Sequence, residues 1–296
     1  MRRVERRASM DRKNDDKTQS GGKEALDRRD FIKTVTRIAG GAAAAGVLTP
    51  FLRAGRGTDQ VAAKDDPRLL TETVAYPGAS GGMKAYLVRP RGAAKLPGVI
   101  VIHENKGLNP HIEDVTRRVA LEGYVAIAPD ALSPFGGTPR DNPDAIGPLF
   151  QKLDASVTNN NFAAAVQYLK TNPLSTGKVA CMGFCWGGGM TNQVAVNAPD
   201  LTAAVPFYGS QPAAEDVPKI KASLLIHYAG QDERINKGIE AFEAALKKAG
   251  IDYKIFMYEG AGHAFFNDSN PTRYNKEAAE LAWGRTLAFF KEKLKT

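Results

Sequence analysis

The chain has 296 residues, of which 43% are hydrophobic and 24% are charged, a composition typical of a folded protein and not of a disordered one. Its formal net charge of +8 is uneven: residues 1–63 carry 14 basic and 8 acidic side chains, which leaves 26 basic and 24 acidic ones in the remainder. The remainder is nearly neutral, so charge gives no reason to expect nucleic-acid binding. We expect a leader over residues 1–63 and a single domain over residues 64–296.

The leader contains Asp27-Arg28-Arg29-Asp-Phe-Ile-Lys33, followed by a run of small apolar residues at 38–48. This order resembles a twin-arginine export signal. The apolar run is shorter than the roughly 20 residues that span a bilayer, so we expect a cleaved signal and no permanent membrane span. Val61-Ala-Ala63 is the candidate cleavage site. We expect the twin-arginine export machinery as a partner and a periplasmic or secreted product.

After the leader, an antiparallel pair of strands opens the domain, and strands then alternate with helices. Such alternation predicts an α/β fold with a mostly parallel central sheet and helices on both faces. The Gly- and Pro-rich segment from Ser133 to Pro148 is expected to be irregular and to lie over the active site. The predicted strands are 73–76, 84–89, 98–103, 124–129, 178–182, 203–208, 223–229 and 253–258, and the predicted helices are 112–122, 161–170, 235–249 and 276–294.

The segment Gly183-Phe-Cys185-Trp-Gly187 follows an apolar strand and precedes a run of small residues. This is the pattern of a nucleophile elbow, with cysteine where serine is more common. We expect glycine two residues before and after the cysteine to remove steric clashes and to permit strained backbone angles. The N-terminus of the next helix and the backbone N–H of Trp186 favour a thiolate and an oxyanion. A phosphate loop or a packing turn is the alternative, although no Lys-Ser/Thr pair follows.

A cysteine nucleophile needs a base, and the base needs an orienting acid. Asp232 follows the apolar strand 223–229, and His263 lies in a glycine-rich loop after the strand 253–258. Both positions are at the carboxyl end of a strand, and the order of nucleophile, acid and histidine is that of α/β-hydrolases. The sequence therefore predicts a triad of Cys185, Asp232 and His263.

The other three histidines suit other roles. His227 lies within an apolar strand and is expected to be a core residue, while His111 opens a helix and is expected to be exposed. His103 ends a strand before the nucleophile, so it has the wrong order for the base but could shape the pocket.

Other acids and the second cysteine have simpler interpretations. Asp130 is expected to hold a turn, and Glu233 and Glu259 to be solvated neighbours of the site. Cys181 is separated from Cys185 by about 13 Å of strand. A disulfide requires Cα atoms within about 7 Å, so Cys181 is expected to be buried and Cys185 to be a free thiol.

These motifs together resemble the dienelactone hydrolase family of α/β-hydrolases, whose members open lactones with a cysteine. The similarity covers about residues 65–295. It is carried by the following segments of this chain: Gly183-Phe-Cys-Trp-Gly-Gly, Gly230-Gln-Asp232, Gly260-Ala-Gly-His263, Ile102-His-Glu104-Asn-Lys-Gly and Gly123-Tyr-Val-Ala-Ile-Ala-Pro-Asp130.

The resemblance implies further roles. Glu104 matches a family glutamate that keeps the resting thiol protonated until the substrate arrives. The backbone N–H groups of Asn105 and Trp186 are expected to form the oxyanion hole. A small-molecule ester or lactone is the implied substrate, with no cofactor and no metal. We expect the protein to be a monomer.

Two family arginines that bind the substrate's carboxylate have no counterpart here, because the matching positions fall near Pro134 and at Asn267. Arg140 and Arg273 are nearby candidates for this role, although exposed, solvated arginines are the simpler interpretation. The physiological substrate therefore stays open. A peptidase or acyltransferase on the same scaffold, or a non-catalytic exported binding protein, are the alternatives.

Overall fold

The computed structural model describes residues 61–294 and contains one eight-stranded sheet. The strands lie in the order β1-β2-β4-β3-β5-β6-β7-β8, in which β1, β2 and β4 pair antiparallel and all later pairs are parallel. The predicted α/β architecture with a mostly parallel sheet is confirmed. The strands are β1 Leu69–Gly78, β2 Gly81–Pro90, β3 Leu96–Ile102, β4 Val125–Pro129, β5 Ser175–Phe184, β6 Ala203–Phe207, β7 Ser223–Gln231 and β8 Tyr253–Gly262.

Seven α-helices of the described chain pack around this sheet. None of the helices within residues 61–294 is long and apolar enough to span a membrane. They are α1 Pro110–Leu121, α2 Ile146–Gln151, α3 Ala155–Thr171, α4 Trp186–Asn197, α5 Glu233–Asn236, α6 Ile239–Ala249 and α7 Lys276–Lys293, with short 3₁₀ turns at Ser133–Phe135, Pro143–Ala145 and Val217–Lys219.

Each face of the sheet has its own hydrophobic core. In β3, Val99 and Val101 belong to the core beneath α1 and α7, whereas Ile100 and Ile102 belong to the core beneath α3, α4 and α6. Successive side chains of a strand point to opposite faces, so a strand covered on both faces is apolar at every position. This burial explains why the parallel strands could be located from continuous apolar runs.

Several predicted helix boundaries were wrong. The predicted helix 161–170 begins at Ala155, because Asp154 caps it by accepting a hydrogen bond from the Val157 N–H at 2.8 Å. The segment 133–148 is not irregular throughout, since it contains two 3₁₀ turns and the start of α2.

The helix predicted over 235–249 is two helices, α5 and α6, separated at Lys237 and Gly238. The Asn236 amide donates to the Ala229 carbonyl at 2.8 Å, which ties α5 back to the end of β7. A Cβ atom at Gly238 would overlap the side chain of Gln211. The chain therefore ends α5 at Asn236 and begins α6 at Ile239, although apolar residues continue at helical spacing across this break.

The first described residues bind to α1. The backbone N–H groups of Val61 and Ala62 donate to the Asp114 carboxylate at 3.3 and 2.7 Å, and the Ala62 carbonyl accepts from Arg117 Nε at 2.9 Å. Asp114, Arg117 and Ala62 are all buried. Cleavage after Ala63 would remove these partners from two buried charged side chains.

A chain that begins at Lys64 is therefore expected to be less stable than one that begins at residue 55. A buried group that loses hydrogen-bond partners costs about 1–3 kcal/mol, and 1 kcal/mol corresponds to about 2–4 °C in Tm for a domain of this size. Thermal unfolding of the two purified forms measures this difference. Equal Tm values would show that the contact with Asp114 does not stabilise the domain.

Candidate active site

Cys185 lies between β5 and α4 in a strained backbone conformation, with φ 56° and ψ −115°. The strain is on the cysteine itself, and the flanking glycines serve a different purpose. A Cβ atom at Gly183 would overlap the Gly187 carbonyl, and one at Gly187 would overlap the carbonyls of Ile102 and His103. The expectation that glycines at both positions remove steric clashes at a strained bend is confirmed, because they permit the close approach of α4 to β5 and to the end of β3.

This approach brings two backbone donors to the cysteine sulfur. Cys185 caps α4, so the N–H of Trp186 is the first in the helix. The backbone N–H groups of Trp186 and Asn105 lie close enough to the Cys185 thiol to lower its pKa, and so they favour its thiolate form. The structure thus brings together at one atom the two groups expected to form the oxyanion hole.

His263 and Asp232 form a pair at the carboxyl ends of β8 and β7. His263 Nδ1 lies 2.5 Å from Asp232 Oδ2, and the carboxylate is buried. With Nδ1 donating to Asp232, Nε2 is the ring nitrogen that can accept a proton. The Tyr208 ring packs edge-on against the imidazole at 5.1 Å between centroids. Ala264, directly after the histidine, has φ 67°.

Glu104 follows β3 and is buried beside the cysteine. Its Oε2 accepts a hydrogen bond from Asn267 Nδ2 at 2.9 Å. Its Oε1 is also buried and has no hydrogen-bond partner among residues 61–294. A buried carboxylate oxygen without a partner is unusual in a folded protein and calls for an explanation.

The pKa of the Cys185 thiol is raised above its usual value. Burial is the largest cause, and the negative charge of Glu104 is the second. The backbone N–H groups of Trp186 and Asn105 and the positive charge of Arg234 oppose this rise. Cys185 is therefore a thiol at rest, and both its burial and the charge of Glu104 oppose its ionisation.

His103 is a structural neighbour of this site. Its Nε2 accepts from the Ala131 N–H at 3.1 Å, so Nδ1 carries the proton and donates to the Glu104 carbonyl at 2.7 Å. Burial lowers the pKa of His103, which keeps the ring neutral. The ring stacks on Trp186 at 5.5 Å. His103 thus packs against Trp186, the residue that follows Cys185.

The structure confirms the core assignment of His227 and corrects that of His111. His227 is fully buried between Thr286 and Tyr258, and burial holds its pKa well below the usual value. His111 was expected to be exposed but is buried, with Nδ1 3.1 Å from Asp268 Oδ1. The error arose because Asp268 is remote in sequence from the helix that carries His111.

The other acids and the second cysteine singled out from the sequence take no part in the hydrogen bond between His263 and Asp232. Asp130 accepts from Leu132 and Thr138 and so holds a turn, as expected. Cys181 is fully buried, and burial raises its pKa to about 12. Glu233 and Glu259 are exposed.

Arg140 and Arg273 were the candidates for binding the substrate's carboxylate. No contact within the described residues places either arginine at Cys185. Arg140 forms an ion pair with Glu113 of α1 and is half exposed. Arg273 lies in an exposed loop. The simpler interpretation, exposed surface arginines, fits both positions.

Three residues near Cys185 were not predicted from the sequence to belong to the site. Arg234 lies on α5, two residues after Asp232, which is the signal that could have found it. Tyr208 follows β6 at the same sheet edge and has φ 37°, an unusual angle for a bulky residue. Asn267 was noted only as a position without arginine, and its contact with Glu104 has no local sequence signal.

The strained Cys185 elbow and the Asp232–His263 pair both lie at the carboxyl edge of a mostly parallel sheet, an arrangement typical of an α/β-hydrolase. No group of three or more His, Cys, Asp or Glu side chains in the described part of the chain is placed to hold a metal ion. Residues 83–294 match the model of the dienelactone hydrolase family. The chain belongs to that family and is a hydrolase of the carboxymethylenebutenolidase-like type.

Known relatives are similar over most of their length. A protein of Escherichia coli K12 described as "Putative carboxymethylenebutenolidase" is 35% identical over 243 residues, 77% of this chain and 89% of the relative. "Protein usf" of Aquifex pyrophilus is 38% identical over 228 residues, 72% of this chain and 94% of the relative. The crystal structure of a Klebsiella pneumoniae protein described as "Putative Dienelactone Hydrolase" is 29% identical, with TM-score 0.67, and covers 76% of this chain and 99% of its own.

Replacing Glu104 by Gln is expected to lower the apparent pKa of Cys185, because the substitution removes a nearby negative charge that raises it. A charged group within about 4–6 Å of a titrating group shifts its pKa by about one unit or more. The rate of Cys185 alkylation by iodoacetamide, measured against pH, should therefore reach its midpoint at lower pH in Glu104→Gln than in the wild type. Coincident profiles would show that Glu104 does not act on the thiol.

Proposed function

We propose that the protein hydrolyses a small ester or lactone through a Cys185 thiolate. The observation that carries this proposal is the strained cysteine with two backbone N–H donors on its sulfur. Strained backbone angles cost about 1–3 kcal/mol and are concentrated at functional sites. The paired Asp232 and His263 supply the acid and base that such a nucleophile requires.

In the proposed reaction, the thiolate attacks the carbonyl carbon, and the developing oxyanion is held by the N–H groups of Asn105 and Trp186. The tetrahedral intermediate collapses with cleavage of the carbon–oxygen bond, and the leaving oxygen receives, through His263, the proton that the thiol gave to Glu104. A thioester on Cys185 remains. Water then attacks it with His263 as base, and cleavage of the carbon–sulfur bond releases the carboxylic acid.

The raised pKa of Cys185 means that this thiolate must be generated when the substrate binds. Glu104 is the proposed proton acceptor, because it is buried beside the thiol and one of its oxygens has no partner. Asp232 is hydrogen-bonded to Nδ1 of His263 and stabilises the imidazolium that forms during the reaction. The names of the Escherichia coli and Klebsiella relatives support a lactone as the substrate class.

Replacing Cys185 by Ala is expected to lower kcat/KM on aryl esters and lactones by about a thousand-fold or more, since the nucleophile is lost. Cys181→Ala is the matched control, because that cysteine is buried in β5 and should leave hydrolysis and thiol labelling intact. A panel of aryl esters, lactones and peptides, assayed with both variants, tests the reaction class. A wild-type protein that cleaves none of the esters or lactones and shows no labelled Cys185 contradicts the proposal.

We also propose that residues 1–63 direct export through the twin-arginine machinery, on the basis of Arg28 and Arg29. This segment, apart from residues 61–63, lies outside the described residues. The contacts of Val61 and Ala62 with Asp114 favour a mature chain that keeps both residues. We expect a processed periplasmic form in a host with this machinery and an unprocessed form after Arg28→Lys with Arg29→Lys. Mass spectrometry of the amino terminus measures the cleavage point, and identical localisation of both proteins argues against the signal.

A further inference from the structure

The orientation of the Asn267 side chain is determined by its hydrogen bonds. Its Oδ1 accepts from the Ser269 N–H at 3.1 Å and from Ser269 Oγ at 2.6 Å. Its Nδ2 donates to Glu104 Oε2 at 2.9 Å. A reversed amide would place its oxygen against the carboxylate and its NH₂ group against the Ser269 N–H, so the hydrogen bonds to both sides would be lost.

This orientation distinguishes the two oxygens of Glu104. Oε2 faces an N–H donor and can act there only as an acceptor. Oε1 is buried and has no hydrogen-bond partner within residues 61–294. Glu104 is the charged group that raises the pKa of Cys185, and Oε1 is the oxygen that Asn267 leaves without a partner.

The loop that carries Asn267 is held firmly in place. Asp268, the next residue, lies 3.1 Å from His111 Nδ1 and accepts from Arg118 Nη2 at 2.6 Å. Burial alone would raise the pKa of Asp268, but the contacts with His111 and Arg118 outweigh it and hold the pKa below the usual value. Neighbouring residues 267 and 268 thus join the loop after His263 to Glu104 and to α1.

We propose that Asn267 is a positioning residue that holds Oε2 of Glu104 and so assigns Oε1 as the atom that exchanges a proton with Cys185. This inference rests on the proposed cysteine mechanism. A neutral amide suits the role, because it stabilises the carboxylate without cancelling the charge that keeps the thiol protonated. The other titratable groups that face this cluster are His263 with Asp232, Tyr208 and Arg234.

The test compares Asn267→Leu with Asn270→Leu by alkylation of Cys185 against pH. Loss of the amide removes the hydrogen bond that holds the Glu104 carboxylate in place, so the negative charge that raises the pKa of Cys185 is no longer fixed beside the thiol. The alkylation midpoint of Asn267→Leu should therefore move toward that of Glu104→Gln, by about half a pH unit or more. Asn270 lies in the same loop and bonds Thr272, so its variant should follow the wild type.

A double variant separates positioning from a general structural effect. If Asn267 acts through Glu104, Asn267→Leu should change nothing further in the Glu104→Gln background. A shift that persists in that background overturns the proposal, as does an Asn267→Leu profile equal to that of Asn270→Leu. Should Asn267→Leu fail to fold, Ser269→Ala removes one bond that orients the amide, and it should cause a smaller shift in the same direction. The absence of any shift in Ser269→Ala then counts against the proposal.

Alkylation needs no substrate, so the two proposals can fail separately. The proposed reaction is refuted if the wild-type protein hydrolyses no ester or lactone while the pH profile of Cys185 alkylation depends on Asn267 through Glu104. That result still establishes the effect of the Asn267–Glu104 contact on the thiol. Hydrolysis that depends on Cys185, with a thiol profile indifferent to Asn267, refutes only the positioning role.

Discussion

The close approach of α4 to the end of β3 is the constraint on which the site depends. Gly187 lies against the carbonyls of Ile102 and His103 so tightly that no side chain fits there. The Trp186 N–H, at the start of α4, and the Asn105 N–H, just after β3, thereby reach the same sulfur. Cys185 absorbs the strain of this turn in its own backbone, which the surrounding packing must offset.

The same close approach places Glu104 beside Cys185. The surroundings of the thiol therefore include groups that favour its protonated form and groups that favour its thiolate form. Burial and the carboxylate favour the protonated form, while backbone donors and Arg234 favour the thiolate. Both sets act on one group, the Cys185 thiol, so its protonation depends on the balance between them. A small displacement of the Glu104 carboxylate can therefore change the pKa of the Cys185 thiol.

Much of the fold, and the sheet edge that carries Cys185, Asp232 and His263, could be predicted from the sequence, because these features depend on local patterns. Continuous apolar runs located the strands, and the order of Cys185, Asp232 and His263 selected the sheet edge. The errors have physical causes of another kind. His111 is buried because Asp268 packs on α1, and the helix after Asp232 is interrupted because Asn236 bonds the end of β7.

The amino-acid sequence by itself determined the alternation of strands and helices, and the elbow with the cysteine at its centre, since each depends on residue types and their spacing over a few positions. Tertiary structure alone decided that Asn267 is the partner of Glu104, 163 residues away, and that Val61 and Ala62 bind a buried carboxylate on α1. Such contacts join segments that are distant along the chain, and a hydrogen bond depends on distances of a few tenths of an ångström. Residue types and their spacing carry no information at that scale.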